Sequence, residues 1–256
     1  MAKIVVFDSG MGSLSIIRPI QKATKSEIIY FADRKNFPYG KKSKSELRKI
    51  IKNSLNVLKI KFNPDLIVIG SNTPTLLLKN ITTKKIMGVL PPLKQASKIT
   101  KKQNIAILTT QSVWKSKELC KFIKQNHLSK KINVLKINAS PLIELAESGK
   151  FISQKNYCIK KIKENLDKVF FENNIDVVTL SSTHLPFLTK LLEKEYPKIH
   201  FLDPGDEISL RIAKNIAEKK SKKNSLKIFT SGNVNQFQKQ LSKIGIKNKV
   251  NSLVLS

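Results

Sequence analysis

Polar side chains that could take part in chemistry stand at the ends of several apolar runs in this 256-residue sequence. Hydroxyl, amide and carboxylate groups bind the charged ends of small polar ligands through hydrogen bonds. A serine hydroxyl joins a proton transfer only where a strong neighbouring base accepts its own proton. The groups in question are Asp8-Ser9-Gly10, Ser71-Asn72-Thr73, Thr109-Thr110 and Ser182-Thr183-His184.

The same residue types have a simpler role, because Ser, Thr, Asn and Asp commonly cap the helix that follows a strand. For any one of these sites taken alone, capping is the better explanation. Four sites of the same kind favour a shared binding function, since ligands of open α/β sheets bind beyond the carboxyl ends of the strands.

Such a site needs strands that end together, and the sequence predicts them. Short β-branched runs alternate with longer amphipathic segments, such as 43–62 and 155–172, which is typical of βα units around a mostly parallel sheet. Nine strands are many for one small sheet, so we predict two α/β lobes with a cleft between them. The predicted strands are 3–8, 27–32, 65–70, 86–90, 104–109, 132–137, 175–181, 199–202 and 226–230.

An internal repeat supports the two lobes. The segments 63–73 and 174–184 align without a gap at an offset of 111 residues, and this alignment pairs Ser71 with Ser182. A weaker match pairs residues 4–9 with residues 105–110. The chain therefore reads as two related, pseudo-symmetric halves.

The formal net charge of +30 would ordinarily indicate a nucleic acid or an anionic membrane as partner. Only four of the 48 basic residues are arginines, whereas proteins that bind bases and phosphates favour the forked guanidinium of Arg. The lysines are also spread along the whole chain. We therefore favour lysine-rich solvated faces over a nucleic-acid surface, which stays open as an alternative.

Several other functions find little support. The Gly10-Met11-Gly12 segment resembles the start of a dinucleotide fingerprint, but Asp8 would repel a pyrophosphate and the third glycine position is Ser15. No spacing of Cys and His predicts a metal site. Cys120 and Cys158 lie in helix-like segments, where we predict small buried hydrophobic side chains rather than a disulfide.

The amino-terminal segment predicts no secretory signal, and no apolar run approaches the roughly 18 residues of a membrane helix. We therefore predict a cytoplasmic protein without a membrane partner.

The polar strand ends are also where the sequence resembles a known family, the glutamate racemases. The segment 7–14 resembles the opening of these enzymes, and Gly70-Ser71-Asn72-Thr73 resembles their Ala-Cys-Asn-Thr site. The segment 180–186 is similar to Leu-Gly-Cys-Thr-His-Tyr-Pro. Further matches occur in order at 30–33, 37–41, 139–142, 147–149, 203–205 and 229–232, so that every major part of the chain is represented.

The resemblance implies a fold of two α/β lobes, the first formed by 1–92 and 205–256 and the second by 93–204. It implies a homodimer and a glutamate molecule bound between the lobes. A carboxylate would hold the ammonium group, while hydroxyls, an amide and backbone N–H groups would hold the two carboxylates. The implied substrate contacts are Asp8, Ser9, Tyr39, Gly40, Asn72, Thr73, Thr183 and His184.

The resemblance also implies racemisation without a cofactor, in which two cysteines on opposite faces of the α-carbon exchange its proton. Ser71 and Ser182 stand at these two positions, and Asp8, Glu147 and His184 match the assisting groups. Because serine is a much weaker acid than cysteine, the sequence leaves two functions open. One is a glutamate racemase of slow or altered turnover that supplies D-glutamate for peptidoglycan. The other is a non-catalytic relative that binds an acidic amino acid and acts through regulation or a partner.

Overall fold

The computed structural model describes residues 2–216 and 223–255 and contains two sheets. The first sheet has the order β10-β9-β2-β1-β3-β4, and the second has the order β6-β5-β7-β8. All pairings between these strands are parallel. The strands are β1 (Lys3–Asp8), β2 (Glu27–Ala32), β3 (Leu66–Ile69), β4 (Ile86–Gly88), β5 (Asn104–Thr109), β6 (Asn133–Asn138), β7 (Val177–Leu180), β8 (His200–Leu202), β9 (Ser225–Thr230) and β10 (Val250–Ser252).

Helices connect the strands and cover the sheets, as parallel βα units require. We refer to the six-stranded sheet with its helices as the first lobe and to the four-stranded sheet with its helices as the second lobe. The helices are α1 (Leu14–Thr24), α2 (Lys44–Phe62), α3 (Asn72–Leu77), α4 (Leu93–Ile99), α5 (Gln111–Trp114), α6 (Lys117–Gln125), α7 (Ser140–Glu147), α8 (Lys150–Ser153), α9 (Lys155–Glu172), α10 (Thr189–Glu195), α11 (Pro204–Asn215) and α12 (Val234–Lys243).

The central strands are apolar on both faces because helices bury both sides of each sheet. Strands β3 and β7 are buried along their whole length. The chain leaves the second lobe after β8, and α11 packs its Ile208 and Ile212 into the same core as Ile16 of α1. This return brings β9 and β10 to the edge of the first sheet.

The two halves of the repeat occupy equivalent places in the two sheets. Ile4 of β1 lies opposite Leu66 of β3, and Ile105 of β5 lies opposite Val177 of β7. Ile4 and Ile105 are equivalent in the alignment of residues 4–9 with 105–110, and Leu66 and Val177 are equivalent in the alignment of 63–73 with 174–184. The repeat therefore reproduces the strand register as well as the residue types, and it places Ser71 and Ser182 at corresponding strand ends.

The α/β class with two parallel sheets is confirmed, and all nine predicted strands are present with small differences at their ends. Strand β10 was not predicted from the sequence. The prediction for Cys120 is wrong: this side chain is exposed on α6, because the helix presents that position to solvent, whereas Cys158 is buried in α9. The exact lobe boundaries at 92/93 and 204/205 remain predictions. None of the described helices is long and apolar enough to cross a membrane.

Candidate active site

A cavity of about 450 Å³ lies where the carboxyl ends of β1, β3, β5 and β7 come together. Both lobes contribute to its wall, so it is the cleft that the strand ends predict. The first lobe supplies Asp8, Ser9, Tyr39, Gly40, Ser71, Asn72 and Thr73. The second lobe supplies Thr110, Ser182 and His184 together with Glu144 near the entrance.

The two serines of the repeat line this one cavity from different sheets. Ser71 precedes α3, yet its side chain makes no capping hydrogen bond, so the capping explanation fails at this site. Its hydroxyl instead lies close enough to the carboxyl group of Asp8 to oppose the rise in the pKa of that group. Ser182 is buried in the cavity wall, and its hydroxyl makes no hydrogen bond with any described residue. Ser71 thus has a neighbouring base, whereas the hydroxyl of Ser182 is free to meet a ligand.

Asp8 is the buried carboxyl group at the centre of the first lobe's wall. Burial raises its pKa, against the opposing effects of the positive charge on His184 and of a hydrogen bond from the Ser9 backbone N–H at 2.7 Å. A carboxylate with a raised pKa accepts a proton more readily than an ordinary one. Asp8 can therefore hold a ligand's ammonium group or accept a proton from Ser71.

Asn72 presents a buried amide to the cavity. It is 2% exposed, and neither its Nδ2 nor its Oδ1 atom has a hydrogen-bond partner among the described residues. Buried polar atoms in folded proteins nearly always have partners, and an unpartnered amide in a cavity wall is suited to a polar ligand. Beside it, the hydroxyls of Thr73 and Thr110 lie 3.2 Å apart and link the two lobes.

The loop after β2 closes one side of the cavity. The backbone N–H of Tyr39 donates to Ser9 Oγ at 3.3 Å, and the Tyr39 hydroxyl donates to Asp33 Oδ2 at 3.0 Å. These two bonds hold the loop against the end of β1. Gly40 follows in the wall, where an added Cβ would lie 3.6 Å from Thr110.

Thr183 lies behind the cavity wall. Its hydroxyl is 2.8 Å from the Gly70 carbonyl oxygen and 3.3 Å from Asp8 Oδ2, either of which can accept its proton. The side chain therefore joins the end of β7 to the ends of β1 and β3. Its predicted role as a direct ligand contact remains a prediction, because this geometry gives it a supporting position.

Glu147 and His184 form a hydrogen-bonded pair in the second lobe, with Glu147 Oε2 2.8 Å from His184 Nε2. Burial opposes the charge on Glu147, but the hydrogen bond and positive charge of His184, with further help from Arg34, lower its pKa to about 2. Burial likewise lowers the pKa of His184, but the partner Glu147 outweighs it and the pKa is raised. The pairing with Glu147 therefore favours the protonated form of His184.

The turn after β1 explains the glycines that resembled a dinucleotide fingerprint. The imidazole of His184 packs directly on Gly12, where an added Cβ would lie 2.3 Å from Nδ1. A side chain of any size would displace the ring. Glycine at this turn therefore makes room for the histidine of the opposite lobe.

No family model matches the chain. Glutamate racemase of Buchnera aphidicola subsp. Schizaphis graminum is 33% identical over 229 residues, covering 87% of this chain and 88% of that protein. The chain belongs to the glutamate racemase family.

Solved structures of glutamate racemases share the fold. The enzyme from Bacillus anthracis aligns with a TM-score of 0.85 at 22% identity, covering 98% of this chain and 97% of that one. The Escherichia coli enzyme, in complex with L-glutamate and the activator UDP-MurNAc-Ala, aligns with a TM-score of 0.83 at 21% identity, covering 99% and 98%. These likenesses confirm the architecture of two parallel sheets.

The sequence did not single out two further residues that contact Glu147. Arg34 and Gln240 both donate to Glu147 Oε1, Gln240 at 3.0 Å, and come from segments more than 200 residues apart. The rarity of arginine in a chain with 44 lysines was the signal that could have singled out Arg34. Among the described residues, no group of three or more His, Cys, Asp or Glu side chains could hold a metal ion.

Proposed function

We propose that the chain binds glutamate in this cavity and interconverts its L and D forms by moving the α-proton between Ser71 and Ser182. The observation that carries the proposal is the placement of these two serines in one cavity, each at the equivalent strand end of its own sheet. Membership of the glutamate racemase family and the L-glutamate complex of the E. coli relative support the choice of ligand.

The groups in the wall suit the charges of a glutamate zwitterion. The Asp8 carboxylate would bind the ammonium group, and the Asn72 amide with the hydroxyls of Ser9 and Thr73 would donate hydrogen bonds to the carboxylate oxygens. The unpartnered Asn72 amide gains its missing hydrogen bonds from such a ligand. Recognition therefore uses groups that the free protein leaves available.

The residues next to the two serines can accept a proton on one face of the glutamate and supply one on the other. On one face Ser71 takes the α-proton while its own proton passes to the neighbouring carboxylate of Asp8. On the other face Ser182 delivers its proton to the α-carbon and regains one from His184 in the same cavity wall, whose protonated form the partner Glu147 favours. Proton transfer in the reverse direction uses the same groups in their opposite protonation states, as interconversion requires.

Serine makes this transfer slow. A thiol, with a reference pKa of about 8.5, reaches the thiolate form far more easily than a hydroxyl loses its proton. Loss of one matched acid/base group commonly reduces a rate by about 10²–10⁴-fold. We therefore propose a glutamate racemase with low turnover, and the natural role that family membership suggests is supply of D-glutamate for peptidoglycan.

Exchange of the glutamate α-proton in deuterated water tests the function. We expect slow exchange for the native protein and at least ~100-fold faster exchange for the Ser71→Cys/Ser182→Cys double variant. Ser97→Cys, which changes a partly exposed serine outside the cavity, is the matched control and should behave as the native protein. If the native protein exchanges no α-proton at high concentration, the racemase function is wrong, and an active double variant would then mean an intact pocket that lacks only the thiols.

A second candidate function is binding of an acidic amino acid without catalysis, with a regulatory or partner-binding role. It is favoured by one observation: the Ser182 hydroxyl has no base in hydrogen-bond contact within the described part of the chain. Glutamate would then raise the melting temperature of a protein that exchanges no α-proton. Absence of any shift with L- or D-glutamate would count against this second function.

A further inference from the structure

Arg34 is the one arginine that lies against the active site of this lysine-rich chain. It begins the 3₁₀ turn Arg34–Asn36 directly after β2, in the first lobe. Its guanidinium donates to Glu147 Oε1 in the second lobe, and the side chain is only 22% exposed. The bond therefore crosses the cleft between the lobes.

Two aromatic rings fix the orientation of this guanidinium. Its central carbon lies 4.7 Å from the ring centroid of Phe37 and 5.6 Å from that of Phe237. The flat face of Arg stacks on aromatic rings in a way that a lysine ammonium cannot. Retention of arginine here, among 44 lysines, is explained by a position that needs a planar, stacked cation.

A fixed cation helps to orient Glu147, because its buried carboxylate is surrounded by several hydrogen-bond donors that compete for its two oxygens. Oε2 accepts from His184 and from the backbone N–H of Met11 at 3.0 Å, while Oε1 accepts from Arg34 and Gln240. Among these four donors, His184 supplies a positive charge from the second lobe, and Arg34 alone supplies one from the first lobe. Without it, Oε1 would keep a single neutral donor.

We propose that Arg34 is a positioning residue, which aligns Glu147 across the cleft and thereby fixes His184 in the cavity wall. Glu147 transmits the effect because it bonds His184 through its other oxygen. The same contact holds the loop that begins at Arg34, and hence Tyr39, against the second lobe. The inference rests on the proposed function in one respect only, namely that the cavity lined by His184 binds glutamate.

Titration of the His184 imidazole by NMR, in the protein without ligand, tests the proposal. The groups that influence this ring are Glu147, Asp8 and Arg34. The charge of Arg34 lowers the pKa of His184, so its removal alone would raise that pKa. If Arg34 aligns Glu147, His184 in the Arg34→Gln variant instead loses its hydrogen bond to Glu147, and the pKa of His184 falls.

Two further variants complete the experiment. Arg34→Lys keeps the charge without the stacked fork, so we expect a smaller fall, and it provides the test if Arg34→Gln does not fold. Arg18→Gln removes an exposed arginine on α1 and should leave His184 unchanged. A His184 pKa that is unchanged or raised in both Arg34 variants overturns the proposal. Because no glutamate is present, a failure of the glutamate function, measured separately by thermal shift, does not affect this result.

Discussion

Substitution of Asn72 should affect ligand affinity much more than the stability of the free protein. Because its buried amide has no partner in the described structure, Asn72→Ala removes no hydrogen bond from the free protein. We expect a small change in melting temperature without ligand and a loss of glutamate affinity of roughly tenfold or more. Calorimetric titration and thermal melts measure the two effects.

Asn165→Ala is the control for this variant, because Asn165 donates to the Lys161 carbonyl on α9 and lies outside the cavity. It should leave glutamate affinity unchanged. A large drop in the melting temperature of free Asn72→Ala would mean that the amide supports the fold rather than the ligand.

Glu147 makes stability depend on pH in the acid range. Its pKa falls from 4.5 in an unfolded chain to about 2 in the fold. A carboxyl group with a lowered pKa stabilises the fold above its unfolded pKa, and this contribution is lost as the pH falls from about 4.5 towards 2. Its full size is on the order of 3 kcal/mol.

The measurement is the free energy of unfolding in urea between pH 6 and about pH 3. We expect Glu147→Gln to be less stable at pH 6 and to lose less stability on acidification than the native protein. Glu144→Gln, which removes an exposed carboxylate at the cavity entrance, should keep the native slope. Equal slopes for Glu147→Gln and the native protein would show that Glu147 is not held charged.

At the scale of elements, the strands were the most predictable feature, because most of them are short apolar runs rich in β-branched residues between polar turns. Strand β10 is the exception. Its three residues, Val250-Asn251-Ser252, include two polar ones and form a strand only through pairing with the edge of β9. Such a short strand forms because the neighbouring strand pairs with it, and its sequence shows no alternating hydrophobic pattern that would predict it.

The candidate site was predictable in part, for a similar reason. Residues that end strands, such as Asp8, Ser71 and Ser182, carry a local signal because the strand that positions them is adjacent in sequence. Arg34 and Gln240 reach Glu147 from distant segments, and only the folded arrangement of loop and helix brings them together. Contacts of this kind follow from tertiary packing and not from spacing.

Helix α2 begins with a capping box that links sequence to element stability. Ser43 Oγ accepts from the Glu46 N–H at 3.2 Å, and Glu46 Oε2 accepts from the Ser43 N–H at 2.9 Å. We expect Ser43→Ala to cost about 1 kcal/mol and to lower the melting temperature by a few degrees. Ser45→Ala, an exposed change in the same helical turn, is the control for thermal denaturation. Equal melting temperatures for the two variants would contradict a stabilising cap.

At the scale of the molecule, three of the 18 acidic side chains join the two lobes. Three ion pairs cross from the segment 34–44 to the segment 118–147: Arg34 with Glu147, Lys41 with Glu144, and Lys44 with Glu118. The first is largely buried and the second is exposed, at 3.9 Å. Exposed pairs contribute little, so attraction between the lobes depends mainly on the buried one.

The remaining lysines repel one another, and this repulsion predicts how stability depends on salt. With a net charge of +30, the compact state carries unfavourable self-repulsion that the expanded chain relieves. Raising the ionic strength from about 0.01 M to 0.15 M shortens the screening length from roughly 30 Å to 8 Å, which removes most of this repulsion while leaving a buried pair largely unscreened. We expect the melting temperature to rise over this range, equally in NaCl and KCl because the effect is screening and not binding of a particular cation. A fall in both salts would mean that attraction between exposed charges outweighs repulsion, and that the lysines are organised around acidic partners on the surface rather than spread over solvated faces.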